Sequence, residues 1–138
     1  HLYGKNTGKY YEIDFRPQDL HDCIYDDFDG DPLAAVEAYF AEVEKVAAMG
    51  PDILAHIDLI KKLNADGEFF DEEAPRYKAA ALKALAVAKM GGRVIITSDA
   101  HDIGSLTFGF DEAAAAIKAA GFSSVDVLTA NGFETQEL

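Results

Sequence analysis

Residues 94–105 have the sequence VIITSDAHDIGS, and the interpretation of the fold depends on this stretch. Its opening residues favour β-structure without polar alternation, which predicts a strand over 93–97, RVIIT, buried on both faces of a parallel sheet. An acid and an imidazole, Asp99 and His101, follow where that strand should end. Because α/β proteins bind ligands beyond the carboxyl ends of their strands, the sequence predicts chemistry at this point.

Upstream of this stretch, residues 31–49 have the pattern of an amphipathic helix. Asp31 can cap its start, Pro32 fits the first turn and Gly50 lies at the exit. Apolar residues at helical spacing predict one buried face, formed by Leu33, Val36, Phe40, Val43 and Val46.

Two further helices are predicted on either side of the 93–97 strand. One covers residues 72–90, is rich in Ala, Leu and Lys, and is ended by the glycine pair at 91–92. The other is FDEAAAAIKAAG at 110–121, with Asp111 as its N-cap and Gly121 as its C-cap.

The apolar run DILAHIDLI at 52–60 and the segment SVDVLTA at 124–130 complete the predicted strands. Strands that alternate with helices indicate an α/β fold, either layered or a barrel. With 138 residues and no linker rich in Pro, Gly or Ser, the chain is expected to be a single domain.

The composition limits the classes of partner and compartment. A net charge of −13 argues against nucleic acid or an anionic membrane surface as a direct partner. The single cysteine, Cys23, excludes an internal disulfide and a CxxC zinc site. No signal peptide or membrane-length apolar run is visible, so we expect a cytoplasmic protein. No pattern indicates an oligomeric state.

Three of the four histidines lie at or near the ends of predicted strands: His1, His56 and His101. Together with Asp99 they form a set of the ligand types that Zn, Mn and Fe prefer. Two simpler interpretations stay open. A histidine in an apolar run is often a core residue, and Asp-x-His after a strand is common in turns.

Other chemical motifs are weak or missing. His21 and Cys23 do not share a helical face, and no second pair follows them, so we interpret them as incidental. The acidic run from Asp26 to Asp31 lacks the spacing of an EF-hand loop and is interpreted as a solvated turn and helix cap. GxSxG, P-loop and GxGxxG motifs are not present.

Three segments together resemble the histidinol phosphatases of the PHP (polymerase and histidinol phosphatase) superfamily. These are HLYG at 1–4, DILAHIDLIKKLN at 52–64 and VIITSDAHDIGSLTFGFDEAAAAIKAAGF at 94–122. They occur in the family's order, and the pairing of HIDLIKK with SDAH is the specific part of the resemblance. What it implies is a distorted, TIM-like (β/α)7 barrel with a cluster of metals, usually three, at its mouth.

The resemblance also implies roles for individual residues. Asp99 and His101 would be the catalytic residues, closest to the reacting phosphate. Three supporting residues would orient the ligands: Asp58, Ser98 and Asp102. The full set of metal ligands would be His1, His56, Asp99 and His101. None of the three arginines is assigned to the phosphate, and the substrate-binding residues stay unassigned.

The implied reaction is hydrolysis of L-histidinol phosphate to L-histidinol and phosphate, in histidine biosynthesis. Adjacent divalent metals would generate hydroxide near neutral pH and neutralise the phosphoryl oxygens and the leaving alkoxide, so no protein nucleophile is required. Two alternatives are a PHP phosphoesterase with a different phosphorylated substrate and a non-catalytic remnant of the PHP fold.

Two features depart from the family's pattern. The family opens with an Asp-x-His-x-His motif on its first strand, whereas this chain opens at His1. Between its two later motifs the family has a further βα unit, whereas residues 57–98 contain one predicted helix here. We therefore expect a single PHP-type domain over 1–138 that lacks its N-terminal strands and an internal βα unit near 85–87.

Overall fold

Helices and short antiparallel strands make up the fold in a computed structural model, which describes residues 1–51, 54–55, 57–89, 92–98, 100 and 102–138. The prediction of a fold that contains both α and β structure is confirmed. The chain divides into two units, His1–Ala84 and Leu85–Leu138, which are described separately below.

The first unit begins with a hairpin of two short antiparallel strands, β1 (Leu2–Tyr3) and β2 (Tyr10–Tyr11). Leu2 pairs with Tyr11, and both side chains are buried. The intervening turn is tied to the next helix by Asp27, whose carboxylate accepts hydrogen bonds from Asn6 N at 2.6 Å, Thr7 Oγ1 at 2.8 Å and the Tyr11 hydroxyl at 2.8 Å. Asp27 was predicted to belong to a solvated turn, and for this residue the prediction is wrong.

Helix α1 (Pro17–Asp27) follows and was not predicted. Its signal is present in the sequence, because a proline stands at the first helical position and Leu20, Cys23 and Ile24 have i, i+3, i+4 spacing. All three of these side chains are buried. The stripe has only three residues, and most other positions of α1 are polar or acidic, so the pattern was not recognised.

Helix α2 (Pro32–Ala48) confirms the helix predicted over 31–49. The Asp31 carboxylate accepts hydrogen bonds from Leu33 N at 3.0 Å and Ala34 N at 3.2 Å, which is the predicted N-cap. Gly50 follows the last turn with φ of 69°, a conformation that favours glycine.

The core of the first unit is built around Phe40 of α2. Its ring makes edge contacts with the rings of Tyr39 and Tyr77, at centroid distances of 5.3 and 5.7 Å. Tyr77 belongs to α3 (Pro75–Lys89) and also stacks on Phe70 at 5.8 Å. Helix α3 matches the prediction over 72–90, whereas Met90 and Gly91 lie outside the described residues.

The second unit contains α4 (Phe110–Ala119) and an antiparallel hairpin of β3 (Ser124–Thr129) and β4 (Gly132–Glu137). Helix α4 and strand β3 were predicted, but β4 was not. The predicted N-cap is wrong, because Gly109 occupies that position with φ of 71°. Asp111 lies instead in the first helical turn, where its charge interacts favourably with the helix dipole.

The strand predicted over 93–97 is wrong. Residues 92–98 carry no regular secondary structure, and Ile95 is 40% exposed. Among the described residues, one backbone hydrogen bond joins this segment to β3, from Asp126 N to Val94 O at 2.7 Å. A strand inside a parallel sheet pairs with its neighbouring strands through ladders of backbone hydrogen bonds. One hydrogen bond does not form a ladder.

The run at 52–60 also shows no strand where it is described. A 3₁₀ helix over Leu59–Leu63 covers its end, and Asp52, Ile53 and His56 lie outside the described residues. In the described part of the chain the strands form two antiparallel hairpins, so the predicted parallel barrel stays a prediction.

The boundary between the units falls within α3, between Ala84 and Leu85. This position lies next to residues 85–87, near which an internal βα unit is predicted to be missing. That absence stays a prediction. None of the helices in the described ranges has the length and apolar character needed to cross a membrane.

Candidate metal site

Of the four predicted metal ligands, only His1 belongs to the described residues. His56, Asp99 and His101 lie outside them. Within the described ranges, no group of three or more His, Cys, Asp or Glu side chains is arranged to hold a metal ion. The predicted ligand set combines three imidazoles with one carboxylate, and this donor chemistry fits Zn, Mn or Fe.

The N-terminal hairpin places His1 beside Glu12. The pairing of Leu2 with Tyr11 brings the residues that flank the two strands together, and His1 Nε2 lies 3.3 Å from Glu12 Oε1. The side chains are 59% and 51% exposed, so both have atoms open to a further ligand. Sequence reasoning missed Glu12, although an Asn-Thr-Gly turn between two aromatic-rich dipeptides is a hairpin signal.

Asp58, a predicted supporting residue, is exposed in the first unit. Its Oδ2 lies 3.8 Å from Lys61 Nζ, and the same ammonium group lies 3.1 Å from Glu72 Oε2. The structure does not bring Asp58 to His1, the one described ligand, by any hydrogen bond or ion pair among the described residues. Its role in orienting a ligand stays a prediction.

Other residues of the 52–64 motif have structural roles. Ile60 is fully buried in the core of the first unit. Asn64 is buried and uses both ends of its amide: Oδ1 accepts from Phe69 N and Phe70 N, and Nδ2 donates to Phe70 O and Glu72 Oε1, all at 2.9–3.0 Å. Packing and loop formation therefore account for these two positions without a ligand.

The other two predicted supporting residues, Ser98 and Asp102, hold one loop. Ser98 Oγ donates to Leu106 O at 2.9 Å. The Asp102 carboxylate accepts from Ser105 N at 3.1 Å and from Ser105 Oγ at 2.8 Å, at the start of a 3₁₀ turn over Ile103–Ser105. The hydrogen bond from Ser98 to Leu106 therefore joins two described residues that lie eight positions apart in the sequence.

The segment that leads into this loop is anchored at its other end by Asp126. This carboxylate is buried in β3, lies 3.0 Å from Arg93 Nε and accepts from Thr135 Oγ1 at 2.9 Å. With the hydrogen bond from Asp126 N to Val94 O, residues 93 and 94 are held against the hairpin. The 92–98 segment is therefore fixed at both ends without belonging to a sheet.

All three arginines of the chain are engaged with carboxylates. Arg16 binds Asp19 through two nitrogens, at 2.7 and 2.8 Å. Arg93 pairs with Asp126, as described above. Arg76 contacts both Glu37 and Asp31 at 2.8–2.9 Å, and its hydrogen bond holds the pKa of each of these carboxyl groups below its usual range.

His21 and Cys23 face different surroundings on α1. The His21 ring stacks on Tyr25, with centroids 4.4 Å apart, and its Nδ1 lies 3.3 Å from Asp22 Oδ1. Cys23 is fully buried, and this burial raises the pKa of its thiol to about 12. A thiol with that pKa stays protonated near neutral pH, which disfavours it as a metal ligand.

Comparisons of this chain with protein-family models, curated proteins and solved structures find no match. The likeness to PHP histidinol phosphatases accordingly rests on the three segments quoted above.

Proposed function

We propose that this protein is a cytoplasmic, metal-dependent phosphomonoesterase that hydrolyses L-histidinol phosphate to L-histidinol and phosphate. One observation carries the proposal: His56-Ile-Asp58 and Ser98-Asp-Ala-His101 occur in the same chain and in the order of the PHP histidinol phosphatases. The proposed fold is a distorted (β/α)7 barrel, to which these 138 residues contribute a part.

The ligands in this proposal are His1, His56, Asp99 and His101, and the pair at 99 and 101 is nearest the chemistry. Divalent ions held there, Zn, Mn or Fe in a cluster of three, would supply hydroxide near neutral pH and neutralise the phosphoryl oxygens. Glu12 adds a carboxylate next to His1. By accepting the N–H of one ring nitrogen, Glu12 would fix the tautomer of His1 and leave the other nitrogen as a ligand.

The ion pairs of the three arginines support a role for the metal ions in neutralising the phosphate. Each guanidinium already neutralises at least one carboxylate, so recruiting it to a substrate phosphate would break a charge-assisted pair. In this proposal the phosphate charge is met by the metal ions, and the residues that bind the substrate stay unassigned.

The test compares His56→Ala and His101→Ala with His21→Ala in the full-length protein. We expect the first two to lower metal content and to cut phosphate release from L-histidinol phosphate by at least about 100-fold, because each removes a ligand. His21→Ala is the matched control, since His21 is an exposed residue stacked on Tyr25. Metal content by elemental analysis and turnover by phosphate release are the measurements.

The outcomes separate three functions. Loss of metal and of activity in both ligand variants, with His21→Ala like the wild type, supports the proposal. A metal-containing protein that hydrolyses other phosphate esters but not L-histidinol phosphate would show a different substrate. A protein with neither metal nor phosphatase activity would be a non-catalytic remnant of the fold.

A further inference from the structure

We infer that one exposed face of the N-terminal hairpin binds the imidazole and ammonium groups of the substrate, and that Tyr3 and Tyr10 supply the contacts to its ring. The inference rests on the proposed function for the identity of that substrate. The face consists of two side-chain pairs that meet across the strands, and we refer to it as the hairpin face: His1 with Glu12, and Tyr3 with Tyr10.

The alternation of side chains along the strands separates the hairpin face from the core. Leu2 and Tyr11 pair across β1 and β2, and both are buried. Successive side chains of a strand point to opposite sides, so the residues that flank this pair lie on the other side of the hairpin. All four residues of the hairpin face are exposed. The hairpin therefore packs on the core with one side and leaves the other open to a ligand.

Tyr3 and Tyr10 form an aromatic pair on this face. Their ring centroids lie 5.0 Å apart, with the ring planes inclined at 52°. The two residues are 49% and 72% exposed, so most of their ring surface is not used in packing. Tyrosine rings attract cations to their faces and stack on other planar rings. An imidazolium group is planar and cationic, and it therefore fits this pair in both respects.

The charges of the hairpin orient such a ligand. Glu12 Oε1 lies next to His1, whereas Oε2 of the same carboxylate receives no hydrogen bond from a described residue. Two lysines, Lys5 and Lys9, lie at the opposite end of the hairpin, in its turn. An ammonium group is therefore attracted towards Glu12 and repelled from the turn.

The position of His1 connects the hairpin face to the proposed reaction. His1 is the proposed metal ligand on this face, so the phosphate of the substrate would lie at its end of the hairpin. Residues two positions apart on a strand are about 6.6 Å apart, which places the tyrosine pair within reach of the rest of a small substrate. L-Histidinol phosphate has its phosphate, ammonium and imidazole groups in that order. The hairpin face has the metal ligand and the carboxylate at one end and the tyrosine rings beyond them.

The experiment measures binding of L-histidinol and hydrolysis of L-histidinol phosphate by the full-length protein. L-Histidinol has no phosphate, so its binding is followed without added metal, by NMR titration of its ring protons. We expect Tyr3→Ala and Tyr10→Ala to weaken this binding about 5-fold and to raise KM by the same factor, because each removes a ring that attracts the cation. The value of kcat should stay within about 2-fold of the wild type, since the tyrosines do not touch the reacting bond.

Two further variants serve as controls. Tyr10→Phe keeps the ring and should bind L-histidinol like the wild type. Tyr25→Ala removes an exposed tyrosine of the same unit that lies on α1, outside the hairpin, and should also leave binding and KM unchanged.

Weaker binding in the two alanine variants, with both controls like the wild type and an unchanged thermal midpoint of unfolding, supports the inference. Unchanged binding in both alanine variants, or no binding of L-histidinol by the wild type, would overturn it. If the wild type still hydrolyses L-histidinol phosphate in that case, the proposed function survives and only the role of the hairpin face fails. If the tyrosines bind L-histidinol but the phosphate ester is not hydrolysed, the proposed function fails and the binding site stands.

Discussion

The two units of the chain are stabilised by different means. Among the described residues, every buried apolar side chain except Ile117 lies in His1–Ala84. Both units also expose large apolar side chains, which in the described part of Leu85–Leu138 are Ile95, Ile103, Leu106, Phe108, Leu128 and Phe133. The first unit has a continuous hydrophobic core, whereas the described part of the second depends on a hairpin ladder and a few polar contacts.

The predicted metal ligands are divided between these two units. Hydrophobic burial is the main stabilising contribution in folding, so the second unit is the less stable part by this measure. Two of the predicted ligands, Asp99 and His101, fall in that unit. The polar contacts of Ser98, Asp102 and Asp126 consequently carry more of its local order than similar contacts do in a packed domain.

The largest expected effect comes from Phe40→Ala. Phe40 is 1% exposed and contacts two aromatic rings, so its truncation should lower the free energy of unfolding of the first unit by about 4 kcal/mol. All six tyrosines lie in the first unit and the chain has no tryptophan. Tyrosine fluorescence during denaturant unfolding of the 138-residue chain therefore follows this unit selectively.

Phe108→Ala is the matched control for Phe40→Ala in the second unit. Phe108 is exposed, so the same substitution should change stability by no more than about 0.5 kcal/mol, measured by circular dichroism. A loss of stability as large as that of Phe40→Ala would contradict the proposed difference between the units, because it would mean that Phe108 is packed against another surface in solution.

An intermediate effect is expected from Asp27→Asn, with Asp26→Asn as the control. Asp27 accepts hydrogen bonds from two backbone N–H groups and two hydroxyls, so its substitution should cost the first unit about 2 kcal/mol at pH 7. Asp26 is exposed and meets the Tyr11 hydroxyl only at 3.5 Å, and its substitution should have little effect. Tyrosine fluorescence measures both variants.

The Asp27 variant also has a predicted pH dependence. Partial burial acts to raise the pKa of Asp27, but the hydrogen bonds from Thr7, Tyr11 and the backbone of Asn6 outweigh this and keep it below its usual value. A depressed folded-state pKa stabilises the protein above the unfolded value of about 3.9 and stops doing so as the pH falls through the folded value. The gap in stability between wild type and Asp27→Asn should therefore close below about pH 4. A gap of constant size down to pH 2 would contradict this.

The smallest effect is expected from Thr135→Val in the second unit. The Thr135 hydroxyl donates to the buried Asp126 carboxylate, so its loss should cost about 1 kcal/mol and speed hydrogen exchange in β3 and β4. Thr107→Val removes a hydroxyl that has no hydrogen bond to a described residue and is the control. Equal exchange in the two variants would mean that the Thr135 hydroxyl does not stabilise β3 and β4.

Sequence patterns predicted the elements whose signals are local. Asp31, Pro32 and Gly50 mark both ends of α2, and the alanine-rich run marks α4. The strand over 93–97 was wrong because its apolar character describes a propensity, while a strand also requires neighbouring chains to pair with. Helix α1 was missed because its three buried residues lie among the acids Asp19, Asp22, Asp26 and Asp27. Strand β4 was missed because its sequence, GFETQE, is mostly polar.

Sequence motifs predicted metal ligands but not the residues that contact them or their segments. Glu12 lies 3.3 Å from His1 only because the hairpin register brings positions 1 and 12 together. The contacts of Asp126 likewise depend on the pairing of β3 with β4 and on the approach of Arg93. Such pairings are set by tertiary geometry, which no residue spacing along the chain encodes directly.

Because Cys23 is buried, the reactivity of its thiol can be used to measure local opening of the first unit. Its thiol lies on α1 within the core of the first unit, and no other cysteine is present. A thiol reagent can react only when α1 separates from that core, so the labelling rate reads out how often this opening occurs. Modification at this position would also trap the opened form, because the covalent adduct has no space in a close-packed interior.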